Sequence, residues 1–166
     1  VNAFNFIDGT DGLAGTQAFL FILFKFIIYS FYINIYPFEY FICLLSVIIL
    51  FVIINTQKSV LRKMYLGNSG SLFLGSFLIL LAINVNLDFD YYHPFIILWL
   101  CSYPLFNLGR VVIIRILNQK SIFLPDKNHF HHQLENQIKS HLMINIIISV
   151  IYCFFFVIGY FSTIFL

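Results

Sequence analysis

Five long apolar runs, at residues 13–35, 38–54, 71–85, 95–116 and 142–166, set what this chain can fold into. A membrane-crossing helix needs about 20 apolar residues (range about 17 to 25), and four of the runs fall in or near that window. The third is the shortest and is expected to extend in one direction or the other. Phe, Ile and Tyr dominate the runs and would suit buried strands, but strands of this length are uncommon. Backbone facing lipid must also satisfy its own hydrogen bonds, which selects helices. Of the 166 residues, 61% are hydrophobic and only 10% charged, with a mean hydropathy of +0.93. A soluble domain carries about 25% charged residues. The expected fold is therefore an all-α polytopic membrane bundle, one domain over residues 1–166, with about five transmembrane helices.

The connections alternate. Segments 34–37 and 86–94 hold no Lys or Arg. Segment 55–70 holds Lys58, Arg62 and Lys63, and segment 115–141 holds Arg115, Lys120, Lys127 and Lys139. By the positive-inside rule the second pair is cytoplasmic, and the residues before the first run join them there. Tyr29, Tyr32, Tyr36, Tyr91 and Tyr92 gather toward the other side, as an interfacial aromatic belt would. Lys25, in mid-run, is expected to face the bundle interior, and Arg110 to snorkel to the interface. The net charge of +2 gives no argument for nucleic acid. Cys43, Cys101 and Cys153 lie inside apolar runs and read as small hydrophobes.

Three polar clusters fall on the cytoplasmic side. The first, Asn2-Ala3-Phe4-Asn5-Phe6-Ile7-Asp8-Gly9-Thr10-Asp11-Gly12, places carboxylates and glycines directly against an apolar run. It reads either as a capped loop, with Asp11 as helix N-cap, or as a site for a metal, a sugar or a nucleoside. Asp8 and Asp11 are three residues apart and would share a face on a helical turn. The second, Leu66-Gly67-Asn68-Ser69-Gly70-Ser71, turns into a helix N-terminus that suits a phosphate. It lacks the Gly-Lys-Ser/Thr ending of a Walker A loop, and taken alone it favours helix capping with small-residue packing through Gly70 and Gly75. The third, Pro125-Asp126-Lys127-Asn128-His129-Phe130-His131-His132, carries three of the chain's five histidines. Zinc, a pyrophosphate and a solvated loop are the readings; adjacent His131 and His132 do not easily ligate one ion, and no cysteine is near.

Taken in order, these motifs resemble those of the polyprenyl-phosphate N-acetylhexosamine-1-phosphate transferases, over nearly the whole chain. The His-x-His-His form is more similar to the undecaprenyl-phosphate GlcNAc-1-phosphate transferases than to the phospho-MurNAc-pentapeptide translocases. The resemblance implies a Mg²⁺-dependent enzyme of the inner membrane, with room for Mn²⁺ and for a homodimer. It would move sugar-1-phosphate from a UDP-N-acetylhexosamine to a polyprenyl phosphate, release UMP, and serve cell-envelope polysaccharide synthesis. By motif position Asp8, Asp11 and His129 would be catalytic. Asn5, Asp11, His129, His131 and His132 would bind substrate, and Asp8 and Asn68 would hold the metal.

Two departures accompany the resemblance. The family's adjacent aspartate pair is not among these residues, and the chain opens on Val1 inside a motif. The expectation is a fragment, with the pair upstream; without that pair it would not be a working enzyme. Asn68 stands where such enzymes usually carry a Mg²⁺-binding aspartate, and an amide oxygen lacks the charge that hard cations favour. A non-catalytic scaffold or lipid-carrier-binding relative is the alternative.

Overall fold

The computed structural model describes residues 2–32, 38–57, 63–88, 95–119 and 130–164. These form eight helices and no strand: α1 (Asn2–Asn5), α2 (Leu13–Tyr32), α3 (Phe38–Asn55), α4 (Gly67–Asp88), α5 (Ile96–Leu100), α6 (Ser102–Leu117), α7 (Phe130–Gln137) and α8 (His141–Ile164). Among the described residues, α2, α3 and α8 are long and apolar enough to cross a membrane, and Gly67–Ile83 of α4 is a shorter apolar stretch. The outer faces of α3 and α8 leave Val47, Leu50, Ile53, Phe154, Val157 and Phe161 exposed. Such a surface is a liability in water and the ordinary surface of a helix in lipid.

Helix α2 is the centre of the bundle and packs on α3, α4, α5 and α8. Ala14, Ala18, Phe21, Lys25 and Ile28 recur at three- and four-residue spacing and are all buried, with Leu13, Ile22 and Phe24 widening the stripe. The Phe24 ring stacks on Phe156 of α8 at 3.9 Å and meets Tyr152 edge-on at 5.2 Å. Lys25 is 3% exposed. Its Nζ donates to the Leu81 carbonyl of α4 at 2.6 Å and stands 5.1 Å from the Tyr29 ring centre. The bundle-interior expectation for Lys25 holds.

Tyr29 does not belong to an interfacial belt. It is buried and packs on Phe41 with ring centres 5.7 Å apart, because the neighbouring lysine and α3 enclose it. The side chain of Tyr32, and Tyr36, Tyr91 and Tyr92, lie outside the described residues. The third apolar run extends at both ends, from Gly67 to Asp88.

The run expected as one helix over 95–116 is two, broken at Cys101 (φ −98°, ψ 13°). Pro104 explains the break. It has no N–H for the Leu100 carbonyl, and its ring crowds that carbonyl in a continuous helix. The Tyr152 hydroxyl of α8 donates to the Leu100 oxygen instead. An acceptor that a proline would orphan in an apolar bundle is thereby satisfied from a neighbouring helix.

Helix α8 approaches α5 closely at Gly159, where an added Cβ would collide with the Trp99 ring. Gly159→Ala is expected to lower stability by about 1–3 kcal/mol through overpacking. Gly109→Ala is the contrast, because a Cβ there has no other atom within 4 Å. It should be neutral or stabilise by up to about 1 kcal/mol. Thermal unfolding of both variants in detergent checks the pair.

Candidate functional site

The site grows from the turn between α1 and α2. One helical turn gives way to tighter bonds, Ile7 N–H to the Phe4 carbonyl at 3.2 Å and Asp8 N–H to the Asn5 carbonyl at 3.3 Å. Phe4 and Ile7 are buried and anchor the loop from beneath, which leaves Asp8, Gly9, Thr10 and Asp11 arched over the end of the bundle. Gly12, at φ +79°, turns the chain into α2. That conformation costs a Cβ-bearing residue about 1–2 kcal/mol. The loop is held from three directions. Asn55, at the end of α3, accepts the Gly12 N–H on Oδ1 and donates to the Met64 carbonyl at 2.6 Å. Asn145 of α8 donates to the Asp11 carbonyl at 2.8 Å. Lys63 Nζ forms a hydrogen-bonded ion pair with the Asp11 carboxylate, which raises the ammonium above its ordinary value.

This replaces the capped-loop reading of Asp11. Its carboxylate is engaged by Lys63, and the amide at the start of α2 is met by Asn55. Nor do Asp8 and Asp11 share a helical face, because residues 6–12 are a run of turns. They meet all the same, in a cleft of about 250 Å³ lined by Asn5, Asp8, Gly9, Thr10, Asp11, Asn55, Tyr65, Gly67 and Asn68. A larger groove of about 840 Å³ also borders the Asp11–Lys63 pair and is lined by Thr56, Asn145, Val52, Ile146 and Val150 among others.

The second cluster joins the first at Ser71. Its buried hydroxyl donates to Asn5 Oδ1 and lies 2.9 Å from the Gly67 carbonyl. With Oδ1 so occupied, Asn5 offers the cleft its N–H₂ donors, while exposed Asn68 stands at the rim. Asp8 is half-buried, and that desolvation pushes its carboxyl up to about 6. No cation neutralises it among the described residues. Oxygen donors from Asp8 and Asn68 suit a hard cation such as Mg²⁺, which takes one or two protein ligands and completes its shell with water and phosphate. Among the described residues no group of three His, Cys, Asp or Glu gathers for a metal, and His129 lies outside them.

The third cluster is a helix, not a loop, from Phe130 on. Pro125–His129, including Lys127, lie outside the described residues. Asn107 Oδ1 accepts the Phe130 N–H at 3.0 Å. Arg110 bonds Gln133 and sits 5.6 Å over the Phe130 ring, so it clamps α7. His131 is fully buried, and a Cβ on Gly9 would fall 2.6 Å from its Nε2. His132, with 30% of its side chain exposed, is the more accessible imidazole. Its Nδ1 is 2.8 Å from Glu135 Oε2, and Thr10 Oγ1 donates to Glu135 Oε1 at 2.7 Å. The histidines therefore lie against Gly9 on α7, while Asn68 and Tyr65 line the cleft that the same loop borders.

The residues that motif reading passed over are those that hold others: Thr10, Asn55, Tyr65, Asn145 and Glu135. Two had a signal. Asn55 ends an apolar run and Asn145 interrupts one, and a polar side chain at membrane depth is retained for a partner.

Residues 1–86 match the sequence profile described as "Glycosyl transferase family 4". The chain belongs to this family. The similarity of this family 4 chain to a probable undecaprenyl-phosphate N-acetylglucosaminyl 1-phosphate transferase of Bacillus subtilis is 40% identity over 93 residues, 54% of the chain and 25% of the relative. To the undecaprenyl-phosphate alpha-N-acetylglucosaminyl 1-phosphate transferase of Escherichia coli K12 it is 27% identical over 137 residues, 80% of the chain and 36% of the relative. The Yersinia pestis enzyme of that name is 26% identical over 138 residues, 80% of the chain and 37% of the relative. The chain thus spans about a quarter to somewhat over a third of these curated relatives. No solved structure matches it significantly.

Asp8 yields a stability prediction with a definite sign. Its folded value of about 6 exceeds the ordinary 3.8, so folding favours the protonated form. The penalty is absent below the ordinary value, grows as pH rises between the two, and is complete above about pH 6. In the presence of a chelator, Asp8→Asn should raise the thermal midpoint at neutral pH, and the gain should fade as pH falls toward 4. A pH series of melts on the two proteins reads this directly.

Proposed function

We propose that this chain forms the nucleotide-sugar side of a membrane enzyme that transfers N-acetylhexosamine-1-phosphate from a UDP-sugar to a polyprenyl phosphate. The observation that carries the reading is the meeting of all three polar motifs at one loop, Asp8–Asp11, at one end of an apolar bundle. The family membership and the names of the relatives supply the reaction class. Five spans are proposed, with α5 and α6 acting together as one broken span and the motif-bearing ends in the cytoplasm by the lysine and arginine distribution. The protein would then be a multi-pass inner-membrane transferase of cell-envelope polysaccharide synthesis.

In the proposed reaction an oxygen of the lipid phosphate attacks the β-phosphorus of the UDP-sugar. The bond from that phosphorus to the bridging oxygen breaks, and UMP leaves with the oxygen. Phosphoryl transfer of this kind depends mainly on positioning and on neutralising charge. Asp8 and Asn68 would hold Mg²⁺, which supplies charge neutralisation at the pyrophosphate. Asn5 would donate to the substrate from its amide. The Asp11–Lys63 pair borders the space for the nucleoside, and the exposed Tyr65 ring in the same cleft offers a face on which a base can stack. His129, His131 and His132 are proposed to bear on the phosphates or sugar. Of the two that are described, His132 is the one a ligand reaches directly, while buried His131 supports Gly9.

Asn68 favours a second reading, a non-catalytic relative that binds the lipid carrier without turnover. The two readings separate in membranes containing the full-length protein with its upstream residues, supplied with radiolabelled UDP-GlcNAc, polyprenyl phosphate and Mg²⁺ or Mn²⁺. The transferase reading expects lipid-linked label, reduced at least about 100-fold by Asp8→Asn or Asp11→Asn. Absence of lipid-linked label across several UDP-sugars would sink it. The scaffold reading expects Asn68→Asp to create or strongly raise Mg²⁺-dependent transfer. An unsubstituted protein that is already active, with Asn68→Asp no better, sinks the scaffold.

A further inference from the structure

From the geometry around α7 we infer that Glu135 is a positioning residue, which fixes the tautomer and orientation of His132 and ties the histidine helix to the aspartate loop through Thr10. The inference deepens the transferase reading and rests on it for the kinetic part of its test.

Glu135 uses both oxygens. Oε1 accepts from the Thr10 hydroxyl at 2.7 Å, and Oε2 lies 2.8 Å from His132 Nδ1. An ionised carboxylate only accepts hydrogen bonds, so Nδ1 must carry the proton. Its proton is then committed to Glu135, which fixes the Nδ1–H tautomer of the neutral ring. Burial pushes the Glu135 carboxyl up, but bonds from Thr10 and His132 and the nearby imidazoles outweigh it and hold the group below its ordinary value. The carboxylate form is thus the one present at neutral pH.

Geometry fixes the rest of the ring. The Cε1 edge of His132 would stand 3.3 Å from a Cβ on Gly9, so the imidazole is seated between the aspartate loop and its own helix. Thr10 sits between Gly9 and Asp11, both in the cleft wall. A single carboxylate therefore spans two sequence motifs separated by 125 residues. Outer partners of this kind set ring orientation and basicity, and in metal-bound histidines their loss lowers activity or affinity about 10- to 100-fold.

The test uses the full-length protein with its upstream residues in membranes, with Glu135→Gln, Thr10→Val and the double variant. Glu135→Gln is expected to lower kcat about 10- to 100-fold with little change in KM for the UDP-sugar. Thr10→Val should give part of that loss, and the double variant less than the product of the two, because both act through one carboxylate. Nitrogen-15 NMR of histidine-labelled protein, with the His132 signal assigned by its loss in His132→Gln, reads the tautomer without turnover. At a pH where the ring is neutral, Nδ1–H is expected in the unsubstituted chain and a shift toward Nε2–H in Glu135→Gln. Unchanged kcat in Glu135→Gln, or an unchanged His132 tautomer, overturns the inference. If the unsubstituted chain makes no lipid-linked product, the transferase reading fails, and the tautomer measurement alone decides the role of Glu135.

Discussion

The buried Asn55 side chain is the joint on which the polar end of this molecule depends. At the mouth of an apolar bundle every backbone amide that loses water needs another partner, and the amide at Gly12 enters α2 where the helix itself provides none. Asn55 accepts that hydrogen bond on Oδ1 and donates one from Nδ2 to the Met64 carbonyl, fixing the loop to the end of α3 and the segment leading into α4. Asn145 then holds the next carbonyl from α8, and Lys63 balances the Asp11 charge. With Asp11 so engaged, Asp8 is the carboxylate left without a neutralising cation among the described residues, and its raised protonation range is the electrostatic signature of that difference.

Close approach is the second constraint, and glycine makes it available. Gly9 admits His131 to the back of the aspartate loop, where any side chain would collide with the imidazole. The loop is consequently thin, with the oxygen-lined cleft bordering it and α7 packed against it. Helix α7 meets the aspartate loop at Gly9 by contact and at Thr10 through the Glu135 hydrogen bonds. The Arg110 and Asn107 contacts from α6 keep α7 in that position. The broken α5–α6 pair contributes too, since Tyr152 satisfies the carbonyl that Pro104 leaves open and secures the join to α8.

Much of the fold was legible in the chain's hydrophobic pattern. Helix length follows from the length of an apolar run, so α2, α3 and α8 lie close to the expected bounds. The break in the fourth run also has a local cause in the sequence, the missing N–H of Pro104. Tyr29 departs from the belt because belt formation assumes a side chain that reaches the interface, whereas this ring is buried against Phe41 of α3. Sequence distance gave no hint of that partner, nor of Gln133 for Arg110.

What the sequence determined by itself was the class of fold, the identity of the polar motifs and their shared end of the bundle. Hydrophobic run length and charge distribution are one-dimensional quantities, and the chain states them outright. Tertiary structure alone decided the pairings: Lys63 for Asp11, Ser71 for Asn5, Gly9 for His131, and Glu135 between Thr10 and His132. A hydrogen bond or a close contact is settled over a few ångströms in space, and those partners lie 52 to 125 residues apart along the chain, except for the single helical turn from His132 to Glu135.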